Sequence, residues 1–137
     1  MMERSEAVED YLEAIYLLSK KKGRAKVRDL SYLLKVKAPT VTEMIQKLAK
    51  RGLVVYERYR GVTLTKEGEN IAKEVLNKHE ILKGFLMMLG VDERIADKDA
   101  CRIEHCVHPE TIKRLSAFLE FILSNRELAR WFKYFKR

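Results

Sequence analysis

The spacing of the apolar side chains changes twice along this 137-residue chain, and that change limits the possible folds more than any other feature. Residues 53–65, LVVYERYRGVTLT, alternate between apolar and polar side chains, which predicts a two-stranded hairpin with its turn at Arg60 and Gly61. On both sides of it the apolar residues recur at helical spacing. The predicted helices cover residues 6–19, 27–34, 39–51, 66–89, 93–106 and 109–124, and a basic, aromatic tail is also predicted to be helical. Three helices followed by a hairpin is the order of a winged helix-turn-helix, so we predict a mainly α fold that begins with that unit.

The positive charge is concentrated in the first half of the chain. Residues 1–73 carry 16 basic and 10 acidic side chains, whereas residues 74–137 carry 12 and 10. We therefore divide the chain into a winged helix-turn-helix domain, residues 1–73, and a helical domain, residues 74–137. A basic excess in one domain favours a polyanionic partner there, although many basic surfaces are merely solvated.

The second and third helices have the pattern of a DNA-reading unit. Their apolar faces should meet across the turn through Leu30, Leu33, Leu34, Val41, Ile45 and Leu48. The outward face of the third helix offers groups that suit base edges in a major groove, namely Pro39, Thr40, Thr42, Glu43 and Gln46. Side chains suited to DNA phosphates are Arg28, Lys47, Lys50, Arg51, Arg58 and Arg60. The alternative is a helix-turn-helix used only for packing or for protein contacts.

A second informative segment is DACRIEHCV, residues 99–107. On a helix, Cys101, Glu104 and His105 share one face, so a thiolate, a carboxylate and an imidazole converge as three potential metal ligands. His79 lies on an otherwise apolar stripe of the long helix, where a hydrogen-bonded core histidine is the ordinary alternative. Asp10 and Glu13 stand close together on one face of the first helix, although such carboxylate pairs are often only solvated.

Four segments together resemble the diphtheria toxin repressor family of metal-dependent transcriptional regulators. They are VEDYLEAIYLL, the reading unit from VRDLSYLL to LTKEG, KHEILKGFL and DACRIEHCV. The likeness covers about residues 6–124 and is greatest to the short branch typified by the manganese transport regulator. It implies a homodimer in which the third helix and the wing bind double-stranded operator DNA, while the second domain binds metal and pairs the subunits.

The resemblance also implies a set of metal ligands. These are Asp10, Cys101, Glu104 and His105, with Glu13 and His79 completing the cluster. Longer members have an ancillary metal site at positions where this chain has Lys83 and Asp97, so we expect no ancillary site of that form, because a lysine ammonium opposes metal binding. Cys101 favours Fe²⁺ and Asp10 is acceptable to Mn²⁺. We expect Fe²⁺ to be the leading activator, with Mn²⁺ active at higher concentration.

The positions of these residues suggest how a metal could switch DNA binding. Asp10 and Glu13 belong to the helix that supports the reading unit, whereas the other implied ligands belong to the second domain. Without metal the carboxylates repel one another. We expect a divalent cation to reverse that repulsion and to set the spacing of the two recognition helices in the dimer for successive major grooves.

Other classes of function are less well supported by the sequence. Neither a phosphate-binding loop nor a GxGxxG or HExxH motif occurs, and no small-molecule substrate is expected. A metalloenzyme and a metal-independent winged-helix regulator remain as alternatives. No apolar run is long enough for a membrane span and the N-terminus is too acidic for a signal peptide, so we expect a soluble cytoplasmic protein with no membrane partner. The apolar stripe formed by Ile112, Leu115, Phe118, Leu119 and Ile122 should keep it dimeric without metal.

Overall fold

The computed structural model describes residues 5–136 as seven helices and one two-stranded sheet. The elements are α1 (Glu6–Lys22), α2 (Val27–Leu34), α3 (Ala38–Lys50), β1 (Val54–Glu57), β2 (Gly61–Leu64), α4 (Lys66–Met88), α5 (Glu93–Ile103), α6 (Pro109–Ser124) and α7 (Arg126–Phe135). This confirms the predicted mainly α fold with a winged helix-turn-helix at its start. The chain forms two compact units, and the boundary between them falls within α4, between Val75 and Leu76.

The core of the first unit lies among α1, α2 and α3. Ser5 caps the start of α1, since its Oγ accepts a hydrogen bond from the Val8 amide at 3.2 Å. The side chains with no exposed surface include Leu12, Ile15, Leu30, Val41, Ile45 and Leu48. Leu33 was predicted to join them, and this was wrong, since 49% of its surface is exposed. The next residue, Leu34, packs against the core as predicted.

The wing is an antiparallel pair in which Val54 lies opposite Leu64 and Glu57 opposite Gly61. Its turn therefore covers residues 58–60, with Tyr59 at a φ of 72°. The turn predicted at Arg60 and Gly61 was thus placed too late, by two residues at its start and one at its end, because Gly61 already belongs to β2. Gly61 has a φ of 114°, and a Cβ there would lie 2.6 Å from the Ala25 carbonyl oxygen.

Ala25, just before α2, forms an isolated bridge with Val62 of the wing. The two residues exchange hydrogen bonds of 3.0 and 2.7 Å through their backbone groups. A bridge of one residue has no periodicity, so the sequence did not indicate it. It attaches the wing directly to the start of the helix-turn-helix.

The start of α4 is attached to the wing in the same unit. The Thr65 hydroxyl caps the start of α4, since it accepts a hydrogen bond from the Gly68 amide at 3.2 Å, and it donates one to the Gly52 carbonyl at 2.7 Å. Gly68 packs so closely that a Cβ there would lie 2.1 Å from the Leu53 carbonyl oxygen. The helix ends at Met88, and Gly90 in the turn that follows has a φ of 100°, which suits only glycine without strain.

The second unit has a smaller core, made by Leu82, Ala100 and Ile112 with Ile81, Val107 and Leu115 packed against it. Helix α5 ends at Ile103, three residues before the predicted end, and a turn follows in which the Cys106 amide donates to the Ile103 carbonyl at 2.9 Å. Lys78 Nζ donates to the Val107 carbonyl at 3.1 Å and holds the chain after this turn beside α4. Among residues 5–136, no helix is both long and apolar enough to cross a membrane.

Candidate metal centre and DNA-binding surface

Three side chains that ligate metals converge in the second unit. His79 comes from α4, Cys101 from α5, and Glu104 from the residue that caps the end of α5. One ligand atom of each lies within 4.8 Å of the other two. Glu104 keeps a helical backbone conformation, so it remains three residues, or nearly one turn, from Cys101 on the same face although α5 has ended.

Burial divides this cluster into an inner and an outer part. Glu104 is 1% exposed and His79 is 7% exposed, whereas Cys101 is exposed to solvent. A buried carboxylate next to a buried imidazole carries a high desolvation cost unless its charge is compensated. A carboxylate, an imidazole and a thiolate are donors that divalent first-row metals accept, and their closeness fits a single cation.

Glu104 lies between two imidazoles. Its Oε2 is 3.0 Å from Nδ1 of His79, and its Oε1 is 3.5 Å from Nε2 of His105. His105 belongs to the turn after α5, and its side chain is 4% exposed. The structure thus brings four of the six predicted ligands into one neighbourhood of the second unit.

The other two predicted ligands, Asp10 and Glu13, lie in the first unit. Both are half-buried on α1 and stand three residues apart, which places them on one face of that helix. The neighbouring Glu9 is 7% exposed, so it is the most buried of the three carboxylates. Sequence reasoning did not select Glu9.

Asp97 is a polar neighbour of the cluster that sequence reasoning did not identify as one. Its Oδ1 is 2.8 Å from Nε2 of His79 and 3.5 Å from Nζ of Lys83. The pKa of Asp97 lies below its usual value, chiefly because the hydrogen bond from His79 stabilises the carboxylate, with further help from the charges of His79 and Lys83. Lys83 also lies 3.5 Å from Glu93. Lys83 and Asp97, the residues at the two positions considered for an ancillary metal site, therefore form an ion pair with each other.

The predicted DNA-reading face of α3 is open to solvent. Val41, Ile45 and Leu48 point into the core, so the opposite face presents Pro39, Thr40, Glu43, Gln46, Lys47 and Lys50, all exposed, with Thr42 half-buried. Arg28 on α2 and Arg58 and Arg60 in the wing turn are exposed as well. Helix α3 has no acidic residue in its first turn and has Lys47 and Lys50 in its last.

A basic cleft extends this surface beyond the predicted residues. It has a volume of about 430 Å³ and is lined by Lys22, Gly23, Arg24, Lys26, Asp29 and Arg60. Arg24 and Arg60 approach Glu57 of β1 to 3.7 and 3.5 Å, which connects the loop before α2 with the wing. The basic run KKKGRAK was visible in the sequence, but its position beside Arg60 was not.

Comparison with known protein families finds a matching family model for each of the two units. Residues 3–62 match the family model described as iron dependent repressor, N-terminal DNA binding domain. Residues 65–127 match the model described as iron dependent repressor, metal binding and dimerisation domain. The chain belongs to the iron-dependent repressor family. This confirms the resemblance to the diphtheria toxin repressor family and identifies the chain as a metal-dependent, DNA-binding repressor of metal homeostasis.

Iron-dependent repressor relatives match over most of their own length. An HTH-type transcriptional regulator of Methanocaldococcus jannaschii is 45% identical over 118 residues, which are 85% of this chain and 94% of that protein. The HTH-type transcriptional regulator MntR of Lysinibacillus sphaericus is 41% identical over 124 residues, which are 90% of this chain and 89% of that protein.

Solved structures of longer iron-dependent repressor relatives have the same fold. The manganese regulator SloR superposes with a TM-score of 0.74 at 32% identity, over 88% of this chain and 55% of that one. IdeR of T. acidophilum superposes with a TM-score of 0.75 at 29% identity, over 88% of this chain and 56% of that one. The chain therefore spans about half the length of these solved relatives.

Proposed function

We propose that this repressor responds to Fe²⁺ and that Mn²⁺ activates it at higher concentration. The observation that carries the proposal is the convergence of His79, Cys101 and Glu104 to within 4.8 Å. A thiolate is a softer donor than a carboxylate, and among divalent metals the affinity of such a site for Fe²⁺ exceeds that for Mn²⁺. A bound divalent cation would supply the positive charge that compensates the buried Glu104 carboxylate.

The proposed ligand set is His79, Cys101, Glu104 and His105 in the second unit, with Asp10 and Glu13 of α1. The positions of the first four within one unit support their part of it. Asp10 and Glu13 are included because of the sequence resemblance and because they form a carboxylate pair on one helical face. If they bind the same ion, the orientation of the DNA-binding unit depends on metal, and the ion can set the spacing of the two recognition helices in the homodimer.

The proposed DNA contacts divide into two kinds. Residues that read base edges from α3 are Pro39, Thr40, Thr42, Glu43 and Gln46, and residues that bind phosphates are Arg28, Lys47, Lys50, Arg58 and Arg60. The α3 residues lie on the face opposite the core, where all but the half-buried Thr42 are exposed, and Arg28, Arg58 and Arg60 are exposed on α2 and the wing turn, which supports this assignment. We further propose that the protein acts in the cytoplasm as a binding protein without an enzymatic reaction, since its partners are operator DNA and a second copy of the chain.

Mn²⁺ as the principal activator is the alternative that the relatives favour. The solved relative SloR is described as a manganese regulator, and another at 31% identity as a manganese-dependent transcriptional repressor. Asp10 is compatible with this alternative because carboxylate oxygens suit Mn²⁺. The two assignments differ in the order of activation by the two ions.

The test is anaerobic fluorescence anisotropy with a labelled DNA duplex selected from a random pool by the metal-loaded protein. Coupling in allosteric proteins is typically about 1–3 kcal/mol, so metal should raise the DNA affinity about 5- to 150-fold and a chelator should reverse it. At matched free concentrations Fe²⁺ should saturate before Mn²⁺. The reverse order would overturn the Fe²⁺ assignment, and a DNA affinity unchanged by any divalent ion would overturn the proposed metal response.

The variant Glu104→Gln tests the site itself. It should abolish the increase in DNA affinity on adding metal and leave the weak metal-free DNA binding intact.

A further inference from the structure

A continuous chain of polar contacts joins the metal cluster to the surface of the second unit. It runs from Glu104 to His79 at 3.0 Å, from His79 to Asp97 at 2.8 Å, and from Asp97 to Lys83 at 3.5 Å. Lys83 then reaches Glu93, also at 3.5 Å. The two ring nitrogens of His79 thus have different neighbours, because Nδ1 lies beside a member of the metal cluster and Nε2 lies beside a carboxylate outside it.

We propose that Asp97 is a positioning residue that turns Nδ1 of His79 toward the metal. Neutral imidazole carries one N–H and one lone pair. In the proposed arrangement, Nε2–H donates to the Asp97 carboxylate over the 2.8 Å contact, which leaves the lone pair on Nδ1, the nitrogen beside Glu104. This proposal rests on the proposed role of His79 as a ligand.

The physical effect of such a carboxylate is well defined. It selects one tautomer, restricts rotation of the ring, and makes the ligating nitrogen more basic. Here the restriction is strong because the His79 side chain is 9% exposed and both of its nitrogens are within hydrogen-bonding distance of a carboxylate.

Lys83 has a supporting role in the same arrangement. The Asp97 side chain is 51% exposed, so without a second contact it could rotate away from His79. Lys83 stands four residues after His79 on α4, and Asp97 stands four residues before Cys101 on α5. One helical turn therefore separates His79 from Lys83 on α4, and one turn separates Asp97 from Cys101 on α5. Exposed ion pairs contribute little to stability, so the pair of Lys83 and Asp97 matters through the orientation of Asp97.

The experiment compares Asp97→Ala and Asp97→Asn with Asp99→Ala, which removes an exposed carboxylate two residues away on the same helix. Co²⁺ binding is titrated anaerobically by its visible absorption, which also reports ligand geometry. Removing a carboxylate behind a metal-bound histidine typically lowers affinity about 10- to 100-fold. We expect that loss for Asp97→Ala, a smaller loss for Asp97→Asn because its amide oxygen still accepts the bond, and no change for Asp99→Ala.

A second measurement reads the tautomer directly. In Zn²⁺-loaded protein labelled with ¹⁵N-histidine, the His79 ring should show a proton on Nε2, and Asp97→Ala should remove its protection from exchange. Equal Co²⁺ affinity in Asp97→Ala and the parent protein, or a proton on Nδ1 in the parent, would overturn the proposal. His79→Ala distinguishes the ligand role of His79 from the positioning role of Asp97. If it leaves Co²⁺ affinity unchanged, the ligand role of His79 fails. If it lowers affinity and Asp97→Ala does not, only the role of Asp97 fails.

Discussion

At the scale of single residues, Cys101 differs from its neighbours in the cluster. It is exposed, whereas His79 and Glu104 are buried. An exposed thiolate at the edge of a site can be replaced without opening a cavity, so the choice of donor there affects metal preference more than stability. This makes Cys101 the suitable position at which to test the selectivity of the repressor.

We predict that Cys101→Glu moves the metal response toward Mn²⁺. A carboxylate is a harder donor than a thiolate, so the ratio of the Fe²⁺ and Mn²⁺ concentrations that give half-maximal DNA binding should change at least ~10-fold in favour of Mn²⁺. Anaerobic anisotropy titrations measure both concentrations. Cys106→Glu is the matched control, because Cys106 is also exposed and lies outside the cluster. An equal change in both variants would mean that the added charge, not the donor at residue 101, causes the effect.

At the scale of elements, α3 and the wing of the basic first unit expose different kinds of side chain. Helix α3 offers exposed short polar groups beside Pro39, and the wing turn offers two arginines. Short groups at the start of a recognition helix suit base edges, whereas arginines at a wing tip suit phosphates. The structure also shows that Arg60 is partly held by Glu57, at 3.5 Å.

We predict that Arg60→Ala weakens binding to all DNA sequences alike and lowers the salt slope of binding by about 1, since one phosphate contact is lost. Thr40→Ala should leave that slope unchanged and alter the preferred bases. Affinities measured between 50 and 200 mM salt on the selected duplex and on a scrambled one distinguish the two effects. If Arg60→Ala changes neither affinity nor slope, the wing does not contact DNA.

Helix α4 contains two glycines whose surroundings differ sharply. A Cβ at Gly68 would lie 2.1 Å from the Leu53 carbonyl, whereas a Cβ at Gly84 would meet nothing within 4 Å. Replacing glycine by alanine inside a helix normally adds about 0.8–1 kcal/mol of stability. At Gly68 the overlap with the backbone should outweigh that gain.

We therefore predict opposite signs for the same substitution in one helix. Gly84→Ala should raise the free energy of unfolding by up to about 1 kcal/mol, and Gly68→Ala should lower it by about 1–3 kcal/mol because the wing must shift away from α4. Urea unfolding followed by circular dichroism, at one protein concentration, measures both. A stabilised Gly68→Ala variant would contradict the close contact between Gly68 of α4 and the Leu53 carbonyl.

At the scale of the whole molecule, the second unit leaves much apolar surface uncovered within one chain. The stripe predicted on α6 is only partly available, because Ile112 and Ile122 are buried inside the subunit. The exposed apolar side chains of α6 and α7 are instead Phe118, Phe121, Leu123, Trp131, Tyr134 and Phe135. Phe118 is 43% exposed and the other five are 59–71% exposed, which is characteristic of a surface that another protein covers. The family model that matches residues 65–127 includes dimerisation in its description.

We predict that the protein is a dimer with or without metal, so that metal changes DNA affinity more than assembly. Light scattering at micromolar concentration should give twice the mass of one chain in both states. Phe121→Glu should shift the mass toward the monomer, because it places a charge among the exposed apolar residues of α6. Tyr32→Glu is the control, since Tyr32 is 88% exposed on α2 of the first unit. A monomeric parent protein in both metal states would contradict the prediction.

The sequence by itself determined the element order, the mainly α class and the family. Helical and alternating periods are local properties of the chain, and the segment predicted to bind metal is contiguous from Cys101 to His105. It also indicated His79 as an exception on an apolar stripe. The sequence predicted the ends of the helices and strands less accurately. The end of α5 depends on the turn that follows it, and the position of the wing turn depends on the register of the two strands.

Only the tertiary structure decided which distant residues meet. Ala25 pairs with Val62, Arg24 and Arg60 share a cleft, and Asp97 binds His79 although 18 residues separate them. These contacts depend on how helices and strands pack, and packing is set by the summed fit of many side chains that no local pattern contains. For the same reason Leu33, which has the right residue type and spacing for the core, lies outside it.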